Sequence, residues 1–291
     1  MSLTAFIGSM ELGLVYSLLA FGTFISYRIL RVADLTVDGS FVLGAAASAM
    51  LTLEGMPFAG ILAAMAAGAI AGVITALLQT KMGIQPILAG ILTMTGLYSI
   101  NLMVMGGKAN IPLLNNTNIF TPAENFGGRA YKIIVLTAII TLIFMLLNWF
   151  FRTLLGLSIR ATGDNEDMCK ASSINTDLVK IVGFALSNSI VALSGALLAQ
   201  MQQSADVNMG SGMVVISFAS LIIGSAIIKN KNITMGLLSV VIGSIVYRLI
   251  IAMILTTNFP PSYLKLISAL VVITALSIPT LKGKVRKNAE A

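Results

Sequence analysis

Histidine is absent from the 291 residues, cysteine occurs once, and charged side chains make up only 10% of the chain. Each shortage removes a class of function. Without imidazole there is no histidine acid or base, no Ser-His nucleophile and no His-ligated metal. The lone thiol, Cys169, can form neither an internal disulfide nor a thiolate metal cluster. No G-x-x-x-x-G-K-[ST] stretch occurs; Gly106-Gly107-Lys108 is only loop, so the chain has no visible means of hydrolysing ATP itself. The expectation is a protein that is not an enzyme and needs no cofactor. Soluble domains carry roughly 25% charged residues, so a chain this poor in charge cannot cover a water-facing surface.

What the chain has instead is 57% hydrophobic residues and a mean hydropathy of +0.96. The apolar runs last about 20 residues each, the length a helix needs to cross a ~30 Å hydrocarbon core. The ~10-residue alternating segments of a β-barrel are not seen. The expected fold class is therefore all-α, a polytopic helical membrane protein with about 8–10 transmembrane helices, a single permease-sized unit over 1–291 surrounded by membrane lipid. Successive spans are expected at Thr4–Ile25, at Phe41–Leu53 with residues borrowed from Asp34–Ser40, then at Phe58–Thr80, Pro86–Met105 and Tyr131–Phe151. Leu178–Ala199, Met213–Ile228, Ile233–Leu255 and Ser262–Leu281 complete the series. The first lacks a preceding basic region and a small-residue cleavage site, so it reads as a retained helix. Phe41–Leu53 and Met213–Ile228 are short, which points to broken or re-entrant helices. Ala64, Gly68 and Gly72 recur four apart and should let another helix approach closely. Pro86 suits the first turn of its helix. Gly106–Arg129, rich in Asn, Gly and Pro, reads as a long loop, and Lys229–Asn232 as a turn.

Between Tyr131–Phe151 and Leu178–Ala199 lies a polar island, Thr153–Lys180, with much of the chain's charge. Its middle reads as a short helix capped by Asp164, with Glu166 and Asp167 in the first turn where carboxylates favour the positive end of the dipole. Met168, Ala171 and Ile174 recur at helical spacing and form a small apolar face, and Asn175-Thr176 can cap the next helix. Such a helix is suited to pressing against a partner; the same spacing also fits a solvated helical loop. If the island is cytoplasmic, alternation puts Arg28, Arg31, Lys81, Arg152 and the tail Lys282–Lys287 inside, leaving only Lys108, Arg129 and Lys132 outside. That bias orients the chain with the N-terminus out and the C-terminus in. The net charge of +7 thus reads as topology signal, with no nucleic-acid face. Gly39-Ser40 and Gly210-Ser211 form a faint echo entering from opposite sides, as an inverted repeat would. A chain this rich in small residues also yields such matches by chance.

Carboxylates within spans are few. Glu11 should face protein or a water path, and Asp34 and Asp38 are expected to pair with Arg28 and Arg31 at the inner surface. Polar residues in apolar spans, Ser40, Asn101, Asn188, Gln200 and Gln202, are candidates to line a path, although each also serves as a helix–helix hydrogen bond.

Ser158–Gln200, with Arg160-Ala161-Thr162-Gly163-Asp164-Asn165-Glu166, Ala171, Ile174-Asn175-Thr176 and Ser194-Gly195, closely resembles the cytoplasmic loop and following helix of ABC importer permeases. The likeness is to the branched-chain amino acid and ribose permease superfamily. Asp34-Leu35-Thr36-Val37-Asp38-Gly39-Ser40 resembles the less studied branch linked with aromatic amino acid uptake. The resemblance implies that residues 153–178 hold a coupling helix docking on a separate ATPase, through Gly163, Asp164, Asn165, Glu166, Met168, Cys169, Ala171 and Ile174. It further implies a second permease copy, two ATPase subunits, an extracytoplasmic substrate-binding protein and a bacterial cell (inner) membrane location. The rival class is a secondary transporter or channel working without ATP, which would need midplane ionisable residues. Here only Glu11 and Arg248 offer themselves.

Overall fold

The computed structural model describes residues 3–114, 116–127, 130–228, 232–255 and 266–274. Among the described residues, six helices are long and apolar enough to cross a membrane. They are α1 (Leu3–Thr23, prolonged by a π-helical turn Phe24–Ile29), α3 (Pro57–Thr80), α4 (Pro86–Val104), α6 (Tyr131–Phe150), α9 (Thr176–Gln202) and α11 (Ile233–Leu255). Two shorter apolar helices, α2 (Val37–Leu53) and α10 (Met213–Ile227), fall where short spans were expected. The island folds as α7 (Leu154–Asp164) and α8 (Glu166–Ala171). Residues 266–274 are helical within the last expected span. The remainder of that span, the basic tail and most of the turn Lys229–Asn232 lie outside the described residues. The loop expected over Gly106–Arg129 contains structure of its own, α5 (Thr121–Gly127) and the strand β1 (Asn110–Pro112). β1 pairs antiparallel with β2 (Ser204–Asp206), Ile111 opposite Ala205.

These elements define two ends. The strand pair closes one end, and α7–α8 close the other. Helix α9 is the central post, packing most extensively on α3 and α2 and also on α1. Lipid gives helices no hydrophobic reason to associate, so close van der Waals approach and interhelical hydrogen bonds must do it. The small-residue stripe supplies the approach. A Cβ on Gly68 would strike the Asn188 carbonyl, one on Gly72 the Phe184 carbonyl, and one on Gly195 of α9 the Phe41 carbonyl of α2. The hydroxyls add bonds between neighbours: Ser187 Oγ donates to the Gly22 carbonyl (2.7 Å) and Ser194 Oγ to the Val15 carbonyl (2.8 Å), which lashes α9 to α1.

The faint sequence echo has a structural counterpart. Helix α1 packs on α10 and α11, the pair that follows α9, while α9 packs on α2 and α3, the pair that follows α1. The chain leaves α1 at the island end and re-enters beside α9, Leu30 against Gly183 and Asp34 against Asn188, before α2 begins. From the strand end, residues 207–212 dip in likewise, and Gly210 lies against the Asp38 carbonyl. The two short helices therefore begin inside the bundle, N-terminus facing N-terminus.

Because Gly195 touches backbone, its partner cannot yield by turning a side chain. Gly195→Val should destabilise the detergent-solubilised protein by at least ~1–3 kcal/mol, read as a fall in unfolding midpoint. Gly96→Ala, in open space on α4, should leave it unchanged.

Candidate functional site

At the island end the fold builds a rigid knuckle. Asn165, in extended conformation, is the N-cap of α8, its Oδ1 accepting from the Met168 amide (3.0 Å); Asp164, expected as the cap, is instead the last residue of α7. It is the spacing that decides, since the chain must leave α7 before α8 can start. Asp164 pairs with Arg31 at 2.6 Å. Glu166 accepts from Lys180 (2.6 Å) and Lys170 (3.0 Å), which pins the first turn of α8 to the first turns of α9. Gly163 lies directly on the Ile29 carbonyl, where any Cβ would collide, so the island rests on the end of α1. Cys169 is buried beneath α8. Met168, 55% exposed, and Ala171 face outward together, whereas Ile174 turns back toward the core. Asn175 caps α9 through the Leu178 amide (3.1 Å), as its position suggested.

Asp34 and Asp38 do not pair with Arg28 and Arg31. Arg31 reaches Asp164, and Arg28 lines a polar cleft with Arg160 and Asp164. Asp34 is 1% exposed; it accepts from the Thr36 amide (2.9 Å) and from Asn188 Nδ2 (2.8 Å). Asp38 accepts from the Gly212 amide (3.1 Å) and the Val214 amide (2.8 Å). It caps α10 from another helix, and its charge sits at the positive end of that dipole. Non-helical backbone at this depth must be satisfied by protein, and both carboxylates are drawn into that task.

Of the five candidate path residues, three are fully buried and bonded within the chain. Ser40 Oγ donates to Asn188 Oδ1 (2.7 Å). Gln200 Nε2 donates to Ser48 Oγ (2.9 Å) and the Pro57 carbonyl (3.0 Å), while its Oε1 accepts from the Ile119 amide (3.0 Å). Gln202 is exposed at the strand end of α9. Asn101 borders a cavity. This cavity, about 320 Å³, lies between the start of α2, the Thr95–Tyr98–Asn101 face of α4 and the dipping segment 207–212. Asp38, Tyr98 and Asn208 also line it. None of these three stood out in the sequence as a cavity group. The signal lay in the glycines at the two helix starts, Gly39 in the first turn of α2, packed on α4, and Gly210, packed on the Asp38 carbonyl.

Comparison with known proteins now bears on this arrangement. Residues 6–276 match the family described as branched-chain amino acid transport system, permease component. The chain belongs to this family. It is 36% identical over 286 residues to a tyrosine transport system permease protein of Clostridioides difficile, covering 98% of this chain and 95% of that one. It is 26% identical over 250 residues to the galactofuranose transporter permease protein of Escherichia coli, covering 84% and 71%. In fold it is similar to a solved structure described as a metal-chelate type ABC transporter in an inward-facing conformation, with a TM-score of 0.52 and 15% identity, covering 96% and 87%. The permease is thus a multi-pass helical membrane protein of the ABC importer class.

In the permease, Lys180 foremost, then Lys170, holds the Glu166 carboxyl below its ordinary value of 4.5. A depressed carboxylate contributes stability that is present above the ordinary value and is lost as pH falls through the lowered one. The stability difference between wild type and Glu166→Gln should therefore be present at pH 7 and close as pH drops below about 4.5, followed by thermal unfolding.

Proposed function

We propose that this chain forms the translocation path of a binding-protein-dependent importer driven by a separate cytoplasmic ATPase. Residues 1–291 act as one permease unit, and 153–178 as its coupling segment. Two copies surround the path, an extracytoplasmic binding protein delivers the solute at the strand end, and the island end with the C-terminus is cytoplasmic. The observation that carries this reading is α8. It offers an exposed apolar pair, Met168 and Ala171, on a base joined by ion pairs to the segment that follows α1 and to α9. A helix built only for solvent has no need of that anchorage.

The permease contributes geometry. ATP-driven closure of two ATPases would draw two α8 knuckles together, and Gly163 and Arg31 would pass the displacement to the end of α1 and the break before α2. Nucleotide shifts such an equilibrium only by its differential affinity for the two states. The solute we propose is an amino acid, aromatic in character, from the likeness to the tyrosine permease. Asp34 and Asp38 are engaged in bonds that hold the broken helices, so a secondary transporter would have to work through Glu11 and Arg248.

Met168→Glu with Ala171→Glu should abolish co-purification of the ATPase and reduce solute uptake at least tenfold, while the permease still inserts and folds. Retained co-purification would contradict the docking role. Uptake that persists with the ATPase deleted would favour the secondary transporter.

A further inference from the structure

At the island end, α1 and α6 finish and α11 begins around one basic site. Helix α6 has 20 residues, which at 1.5 Å per residue matches the ~30 Å hydrocarbon core. Arg152, just past its end, therefore stands at the level of the lipid phosphates. Arg28, in the π-helical turn that prolongs α1, lines a cleft of about 270 Å³ with Arg160 of α7, Asn232 and Ile233. Arg152 lines a second cleft of about 270 Å³, which Arg160, Asn232 and Ile233 also border. None of these three arginines has an ion-pair partner among the described residues. Asp164, the carboxylate in the first cleft, is already paired with Arg31 at 2.6 Å. Guanidinium groups gathered in this way repel one another until an anion joins them.

We propose that these adjoining clefts bind the headgroup of an anionic phospholipid, its phosphate held by Arg28 and Arg160 with Arg152 beside them. The charge bias that orients spans places basic residues on this side, but it does not require them to share a cleft. Planar guanidinium forks match phosphate oxygens two at a time, and basic pockets between spans favour anionic headgroups. The surroundings select a lipid over a free phosphate. Trp149, 68% exposed, sits in the last turn of α6, where indole rings favour the headgroup level. Leu154, 84% exposed, then Leu155 and Leu157 turn outward from the start of α7, while Gly156, Ile159 and Thr162 face the bundle. Exposed apolar surface thus continues along the chain from the lipid-facing Met145 and Leu146 of α6 onto α7. Leu157 and Arg160, three apart, are neighbours on the helix surface. A helix with leucines and cations so placed lies in the interface, its apolar side among acyl chains and its charges at the phosphates. The site depends on the chain's place in the membrane and is separate from the docking of α8.

The test uses the full-length permease in detergent, with phosphatidylglycerol, phosphatidylcholine and glycerol phosphate as probes and thermal stabilisation as the readout. Phosphatidylglycerol should stabilise the wild type more than phosphatidylcholine at equal concentration. Glycerol phosphate, which has the phosphate without acyl chains, should not stabilise it. Arg28→Gln with Arg160→Gln should weaken phosphatidylglycerol roughly tenfold or more, at about fivefold for each arginine withdrawn from an anionic headgroup. Lys81→Gln, which removes an exposed cation paired with Asp177, should leave the lipid's effect unchanged. If the double variant fails to fold, native mass spectrometry of the wild type in an equimolar lipid mixture decides, with phosphatidylglycerol retained over phosphatidylcholine. Equal stabilisation or equal retention of the two lipids, an equal effect of glycerol phosphate, undiminished binding to the double variant, or the same loss in Lys81→Gln would overturn the proposal. So would a double variant that loses ATPase co-purification while its phosphatidylglycerol binding is intact, since the patch would then belong to the ATPase.

Discussion

Backbone that leaves the helix inside a membrane protein must find its hydrogen bonds within the chain, because no water is at hand to supply them. This molecule breaks its helices twice at depth, before α2 and before α10. Asp34 satisfies the first break and Asp38 the second, the latter by reaching from the first turn of α2 to the first amides of α10. One carboxylate thereby fixes two half-helices against each other. The cavity, the start of α2 and the position of segment 207–212 all follow from that join.

The join is possible only because the surrounding helices come close. Gly68, Gly72 and Gly195 let α2, α3 and α9 meet backbone to backbone, and Asn188, held between Ser40 and Asp34, closes the polar network at the middle of α9. Small residues provide proximity and a few buried amides provide direction. A bundle made of leucine alone would have neither, since lipid tails compete equally well for apolar contact.

Much of this was legible in the sequence. Span limits follow from length and hydropathy, and α3, α4, α6 and α11 begin and end within a residue or so of expectation. Pro86 opens α4 and Asn175 caps α9 as local rules require. The partners of the carboxylates were not legible. Asp34 meets a residue 154 positions away and Asp38 a turn 174 away, and local pattern carries no information about such pairs. The nearby arginines offered a plausible local answer, but the re-entry of the chain after Arg31 lifts both aspartates away from the island end. Asp164 went astray for a smaller reason, a one-residue gap between α7 and α8 that hands the cap to Asn165. Ser40, Asn188 and Gln200 were visible as polar groups in apolar surroundings, yet only the packing reveals that they brace helices, as Asn101 also does through the Gly39 carbonyl.

The knuckle of α7 and α8 stands on the end of α1 through Gly163 and is tied to the re-entering chain through Arg31. On the proposed coupling role, a push on α8 would reach the segment that leads to Asp34 and the start of α2. The account requires that something push there. A photo-crosslinking residue placed at position 171 in the complex assembled in native membranes tests this most directly. The account predicts a crosslink to the ATPase subunit on the cytoplasmic face; labelling of that position from outside intact cells, or a crosslink to lipid alone, would contradict it.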